Sequence, residues 1–261
     1  MTSELDTDTA LVRADDGGYH GEVSDRWGVL SGVPNGGFMM CYALRALMDA
    51  VPKPDPLTMT AHFLRPGRVG PVTVHTELIK VGKRNATAMA RVVQQDAEVI
   101  RALATFGSLD DGARQVVAGT PPVLPPPGEC LEHKASLVPK VTERFDNRLD
   151  PATVGWIMGK PSGEMVLRGW MRLTDGREPD ALAMPLFADG LPPPVFNAVT
   201  PGWVPTLELT LHFRARPVPG WLRAAFRTQF VSGGLLEEDG ELWDAADTLV
   251  AQSRQLAALP R

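Results

Sequence analysis

Thr58–Pro66 reads T-M-T-A-H-F-L-R-P, and Glu208–Pro217 reads E-L-T-L-H-F-R-A-R-P. His62-Phe63 and His212-Phe213 fall at matching places, 150 residues apart. Each copy leads into a strand-like run, a turn and further strand-like runs. The same register lays Val99–Phe106 (V-I-R-A-L-A-T-F) on Leu249–Leu256 (L-V-A-Q-S-R-Q-L). Such a duplication predicts two similar half-domains packed as a pseudo-dimer. One half can then keep the chemistry while the other becomes scaffold.

Working outward from the first copy, Gly32-Val33-Pro34-Asn35-Gly36-Gly37 is a turn cluster that runs into Phe38–Met48. That segment is apolar nearly all round and rich in good helix formers, so it reads as a buried helix with Asn35 as its N-cap. Pro52, Pro54 and Pro56 stop the helix and force an extended exit. Strands are expected at Tyr19–Val23, Leu57–Leu64, Val72–Val81, Ala86–Gln94 and Val99–Ser108. In the second unit they are expected at Val141–Leu149, Met165–Leu173, Thr206–Arg214, Trp221–Val231, Leu242–Ala246 and Thr248–Leu256. A second helix is expected over Pro179–Ala188, with Pro185 inside it predicting a kink. The segment around Pro121–Gly128 reads as an extended Pro-rich linker. This order fits an α+β fold in which each unit wraps a curved antiparallel sheet around one helix. The expected divisions are a loosely held tail at 1–17, a first unit at 18–110, a linker at 111–137 and a second unit at 138–261.

Composition narrows the function classes. The chain has 261 residues, of which 44% are hydrophobic and 22% charged, enough to bury a real core. Its net charge of −5 argues against a nucleic-acid partner. No run of apolar residues is long enough for a transmembrane helix. Met1–Thr9 is acidic and polar, the opposite of a secretory signal, so a cytoplasmic location is expected. Cys41 sits in the apolar helix and Cys130 in the Pro-rich stretch, so no disulfide is expected. His62 and His212 occur symmetrically in both copies and read as sheet structure rather than chemistry.

Three motifs in order, P-N-G-G-F at Pro34–Phe38, H-F-L-R-P-G at His62–Gly67 and R-G-W-M-R at Arg168–Arg172, together with the duplication, resemble the double hot-dog acyl-CoA thioesterases. That group includes bacterial acyl-CoA thioesterase II. The resemblance covers nearly the whole chain outside the tail and linker. It implies a tandem hot-dog fold and a catalytic set of one Asp, one Thr and one Gln. Phe187-Ala188-Asp189-Gly190 supplies Asp189, Pro205-Thr206-Leu207-Glu208 supplies Thr206, and Leu249–Gln255 supplies Gln255. In the first repeat Pro56 stands opposite Thr206 and Thr105 opposite Gln255, and no acid occurs from Gly36 through Met48, so one triad is expected. The run Gly190-Leu191-Pro192-Pro193-Pro194 is stiffer than the family's usual one and bears on where Asp189 sits. The resemblance also implies an acyl-CoA substrate, no cofactor, and pairing of chains into a homodimer or homotetramer.

Thioester hydrolysis needs an activated water, a stabilised oxyanion and room for the acyl chain. The expected roles are Asp189 as general base, with Thr206 and Gln255 holding the water. No Gly-x-Ser-x-Gly elbow or Cys-His pair suggests a covalent route. The glycine turn Gly36-Gly37-Phe38 is expected to offer backbone N–H groups to the oxyanion. Phe38, Met39, Met40 and Trp203 are candidates for the acyl lining, and Arg65, Arg84 and Arg216 for the CoA phosphates. Two other readings stand beside this one. A non-catalytic acyl-CoA or lipid binder would keep the fold without turnover. An enoyl-CoA hydratase would need a His leading into a hot-dog helix, and Ser31–Phe38 and Gly176–Leu186 contain none.

Overall fold

The computed structural model describes residues 3–15, 17–29, 32–109, 119–133 and 139–260. The expected unit boundaries at 110/111 and 137/138 lie outside the described residues. The strands are β1 (Val12–Arg13), β2 (Tyr19–Val23), β3 (Asp55–Phe63), β4 (Gly70–Val81), β5 (Ala86–Gln94), β6 (Ala97–Gly107) and β7 (Leu131–Glu132). They continue as β8 (Phe145–Leu149), β9 (Val166–Leu173), β10 (Thr206–Phe213), β11 (Leu222–Arg227), β12 (Val231–Ser232), β13 (Leu235–Trp243) and β14 (Leu249–Ala258). The α-helices are α1 (Glu4–Asp8), α2 (Gly36–Ala50) and α3 (Met184–Ala188).

The strands join into one antiparallel sheet in the order β1-β2-β4-β5-β6-β3-β10-β14-β13-β11-β9-β8-β7, with β12 paired to β13. From β2 to β9 the order is a palindrome about the β3–β10 seam, as a duplicated unit requires. The two quoted copies meet there: Glu208 pairs with His62, Thr210 with Thr60 and His212 with Thr58. The Thr60 and Thr210 hydroxyls lie 2.9 Å apart, on the pseudo-twofold axis itself. Hydrophobic alternation places Met59, Ala61, Leu209 and Leu211 of these strands in the core. His62 and His212 fall on the opposite, exposed phase, in keeping with a structural reading.

α2 is the central helix of the first unit. Asn35 caps it by accepting the Phe38 N–H at 2.9 Å. Gly37 through Leu44, Ala46 and Leu47 are buried, so the helix is covered nearly all round. The strands behind it carry small residues, Ala86, Ala88 and Ala90 of β5 and Ala102 and Ala104 of β6, which let it sit close. Val51 and Pro52 end it as expected.

The second helix is shorter than the sequence suggests. Only Met184–Ala188 is α-helical, because Pro185 lacks an N–H and fits only the first turn. Residues 181–183 form turns, and Asp180 receives the Ala183 N–H at 3.0 Å. β13 begins earlier than expected, at Leu235 rather than Leu242. The expected strand over Val141–Leu149 begins only at Phe145, after a 3-10 turn at Lys140–Arg144. The N-terminal segment, expected to be loosely held, is packed instead. Leu5 is buried in the main core, the buried Asp8 accepts from Trp27 Nε1 at 2.7 Å, and Arg177 of the second unit reaches Asp6 at 3.0 Å. Cys41 and Cys130 are both free. Among the described residues no helix is long and apolar enough to cross a membrane.

Candidate active site

A cavity of about 710 Å³ opens between the N-terminus of α2, the segment after α3, and the facing surfaces of β13 and β14. Its lining includes Asn35, Gly36, Met39, Asp189, Thr206, Glu238 and Gln255. The three residues expected to carry the chemistry, Asp189, Thr206 and Gln255, therefore meet in one space.

Asp189 is placed by glycine. α2 and α3 approach so closely that a Cβ on Gly37 would stand 2.2 Å from the Pro185 carbonyl oxygen and 2.8 Å from Asp189 Cβ. Only glycine permits this contact, and it brings the C-cap residue of α3 against the first turn of α2. Asp189 Oδ2 then accepts from the Gly37 N–H at 2.8 Å and from Asn35 Nδ2 at 2.7 Å. Asn35 Nδ2 also donates to the Asp189 carbonyl at 2.9 Å, so this side chain caps α2 and anchors Asp189 at once. The prolines that follow Asp189 do not carry it away from the cavity. They turn into a 3-10 segment at Pro194–Asn197.

Protein surrounds the Asp189 carboxyl, with part of its surface open to the cavity. Burial lifts its pKa from 3.8 to about 6, against the opposing pull of the Gly37 N–H, Asn35 and the Gly36 N–H. A carboxylate so poised is ionised at neutral pH and basic enough to take a proton.

Thr206 opens β10 and Gln255 lies near the end of β14. Thr206 Oγ1 donates to Gln255 Oε1 at 2.7 Å. Gln255, buried, donates from Nε2 to Glu238 Oε1 at 2.8 Å. This orders three side chains in a line across adjacent strands, since Glu238 pairs with Gln255 in the β13–β14 register.

Other expectations are met less well. The N–H groups of Gly36, Gly37 and Phe38 are not free for an oxyanion: the first two point at the Asp189 carboxylate and the third at Asn35 Oδ1. The helix start was expected to hold substrate charge and instead holds protein charge, because a carboxylate sits where the dipole favours an anion. Phe38 does not line the cavity. It stacks on Trp27 at 5.1 Å between ring centroids and meets Tyr42 edge-on. Met40 is likewise core, whereas Met39 and Trp203 do line the cavity. Arg216 is engaged by Asp55, at 2.6 Å, and Arg84 is not among the lining residues. Arg65 lines the cavity and donates to the Glu98 carbonyl at 2.8 Å.

Three site residues escaped the sequence reading. From sequence, Asn35 reads only as a helix cap. His133, on the linker, lines the cavity with Nδ1 making no hydrogen bond among the described residues, and burial lowers its pKa. Glu238 sits in the acidic run Glu237-Glu238-Asp239, between the strands expected at Trp221–Val231 and Leu242–Ala246, yet it is 6% exposed. The period-2 burial of β13, with Leu236, Glu238, Gly240 and Leu242 inward, is the signal that locates it.

Comparisons with known proteins agree with this architecture. Residues 23–107 match the model of the acyl-CoA thioesterase N-terminal domain, and residues 118–259 match that of the C-terminal domain. The chain belongs to this acyl-CoA thioesterase family, and its fold is a tandem hot-dog. A solved structure described as a candidate thioesterase II from Thermobifida fusca is 30% identical, with a TM-score of 0.92 and coverage of 100% of this chain and 98% of that one. A hot-dog protein of unknown function from Alicyclobacillus acidocaldarius is 24% identical, with a TM-score of 0.89 and coverage of 100% and 99%. An uncharacterised protein of Mycobacterium tuberculosis strain H37Rv is 28% identical over 93% of this chain and 91% of its own length.

Proposed function

We propose that this chain hydrolyses acyl-CoA thioesters to a carboxylic acid and CoA by direct attack of water. The supporting observation is the placement of the ionisable Asp189 carboxylate in the same cavity as the Thr206–Gln255 pair. Asp189 takes a proton from water as the water oxygen bonds to the thioester carbonyl carbon. The C–S bond of the tetrahedral intermediate then breaks, the carboxylic acid forms, and CoA leaves as thiolate to receive the proton.

Thr206 and Gln255 set the attack geometry. Because the Thr206 hydroxyl donates to Gln255 Oε1, its oxygen is left to accept a hydrogen bond from the water. Gln255 Nε2 gives one N–H to Glu238 and keeps a second for the developing oxyanion. This amide replaces the glycine N–H groups in that role. The largely apolar lining, with Met39, Phe63, Ile100, Leu191 and Phe196, suits an acyl chain, and Arg65 is the basic residue placed to meet CoA phosphate. Pairing of chains into a homodimer or homotetramer, in the cytoplasm, is part of the same proposal. No cofactor takes part in it.

The test is release of CoA from acyl-CoAs of graded length and branching, followed with a thiol-reactive dye, beside calorimetric binding of the same compounds. Turnover with a defined range of acyl groups is expected. Tight binding across the series without CoA release would favour the acyl-CoA binder instead.

A further inference from the structure

Glu238 is a buried acid that the hydrolytic scheme uses only as an acceptor for one Gln255 N–H. Its Oε1 is taken by Gln255, at 2.8 Å. Its Oε2 is buried and makes no hydrogen bond among the described residues, although the side chain lines the cavity. A buried carboxyl oxygen without a donor is expensive as an anion and tolerable as an O–H. We propose that Glu238 is a positioning residue, which as a neutral acid holds the Gln255 amide in the one orientation that aligns Thr206 and the attacking water. The proposal rests on the thioesterase reading and assigns a fourth side chain to that site.

The argument runs through the amide. A primary amide presents an oxygen at one end and two N–H groups at the other, and rotation by a half-turn exchanges them. In the observed orientation the oxygen accepts from Thr206 and the nitrogen donates to Glu238. Removing the acceptor at Glu238 removes what distinguishes the two orientations. In the reversed one, Thr206 accepts from the amide, which takes one of its two lone pairs and frees its O–H to turn toward the cavity, so the hydroxyl no longer meets the water as an acceptor alone. The second N–H moves with the amide nitrogen to the Thr206 end, away from the position in which it would meet the oxyanion.

Charge matters in the same place. The charged groups that act on Glu238 are Asp189 from the segment after α3, and its strand neighbours Glu237 and Asp239, which lie on the opposite phase of β13. Asp239 is paired in turn with Arg254 of β14 at 2.6 Å and with Arg227 of β11 at 3.8 Å. Burial foremost, and then the nearby negative charges, pushes Glu238 up to about 8, against the pull of the Gln255 N–H. Near neutral pH the cavity thus holds one ionised acid, Asp189, and one neutral acid, whose proton rests on Oε2 because Oε1 is occupied. Ionising Glu238 would set a second negative charge beside the oxyanion.

The test compares wild type with Glu238→Gln and Glu238→Leu on an acyl-CoA that wild type hydrolyses, across pH 5.5 to 9.5, with circular dichroism to verify folding. Glu238→Gln keeps an acceptor for Gln255 and cannot ionise. It is expected to hold kcat within about threefold at pH 7 and to keep its activity above pH 8, where wild type declines. Glu238→Leu is expected to lose about tenfold or more in kcat with KM within about threefold, since geometry rather than binding is disturbed. A folded Glu238→Leu with wild-type kcat overturns the proposal and leaves the thioesterase reading standing. So does a Glu238→Gln profile whose alkaline limb matches wild type, which decides the matter alone if Glu238→Leu fails to fold. Absence of CoA release from every acyl-CoA in wild type overturns both readings together.

Discussion

Replacing Asp189 by Asn should make the protein more stable, and more so at high pH than at low. The carboxyl is enclosed by protein, and its pKa of about 6 exceeds the ordinary value of 3.8. Its folded pKa is raised, so its favourable contribution is complete below pH 3.8 and is lost as pH rises through about 6. At roughly 1.4 kcal/mol per tenfold, the ionised form costs up to about 3 kcal/mol at pH 8, less whatever water in the cavity screens. At pH 4.5 the unfolded chain is mostly ionised and the folded one mostly protonated, and about 1 kcal/mol of that cost remains. An Asn of the same shape can still accept from the Gly37 N–H and Asn35 through its amide oxygen. The Asn has a burial cost of its own, but that cost does not vary with pH and cancels when two pH values are compared. The stabilising shift at pH 8 should therefore exceed that at pH 4.5 by up to about 2 kcal/mol, roughly 4–8 °C in Tm. Thermal melts of both proteins at the two pH values measure it. Equal shifts at both, or a larger shift at pH 4.5, would refute the placement of an ionised Asp189 in this enclosure.

Further outcomes follow from the same geometry. Initial rates of CoA release should rise as pH increases through about 6, the ionisation of Asp189 in the folded protein, and a flat profile between pH 5 and 7 would remove it as base. Gly37→Ala would press a methyl group to 2.2 Å from the Pro185 carbonyl oxygen, so it should lower stability by about 1–3 kcal/mol or more and abolish activity, read by melting and CoA release. Thr206→Val keeps the β-branched shape and leaves Gln255 Oε1 without a donor, which should cost about 1 kcal/mol of stability. Its kcat should drop about tenfold to a hundredfold, while a Val variant with wild-type kcat would mean that the hydroxyl has no part in the reaction.

The seam of the molecule is legible in the sequence because its signal is local and doubled. His62-Phe63 and His212-Phe213 mark the same strand twice, and a repeat of 150 residues leaves little freedom in how the two strands pair. The helix at Phe38 was readable for the same kind of reason: capping residue, apolar run and proline stop all agree. Where the sequence misleads, the cause is a local proline rule in one place and long-range contacts in another. α3 was overestimated because its apolar composition outweighed the chemistry of Pro185. The N-terminal segment reads as polar tail because Asp6 and Asp8 look solvated, and their partners Arg177, Arg45 and Trp27 are far away in sequence.

The candidate site divided along the same line. Asp189, Thr206 and Gln255 were found through motif resemblance, which encodes three-dimensional proximity that spacing alone cannot. The glycine turn was given the right place and the wrong task. A side chain on Gly37 would meet α3 and Asp189, one on Gly36 would meet the Phe63 ring and the Asp189 carboxylate, and their N–H groups serve Asp189. Glu238 was hidden by company: one of three consecutive acids faces inward, and composition does not say which.

The most direct test of the account is the rate of CoA release by wild type and Asp189→Asn, side by side at pH 7.5, on the acyl-CoA that wild type hydrolyses fastest, with binding of that compound measured for both. The account predicts turnover by wild type and a loss of about a hundredfold or more in kcat for the variant, with a folded protein and undiminished binding. Turnover by Asp189→Asn within a few fold of wild type would contradict it.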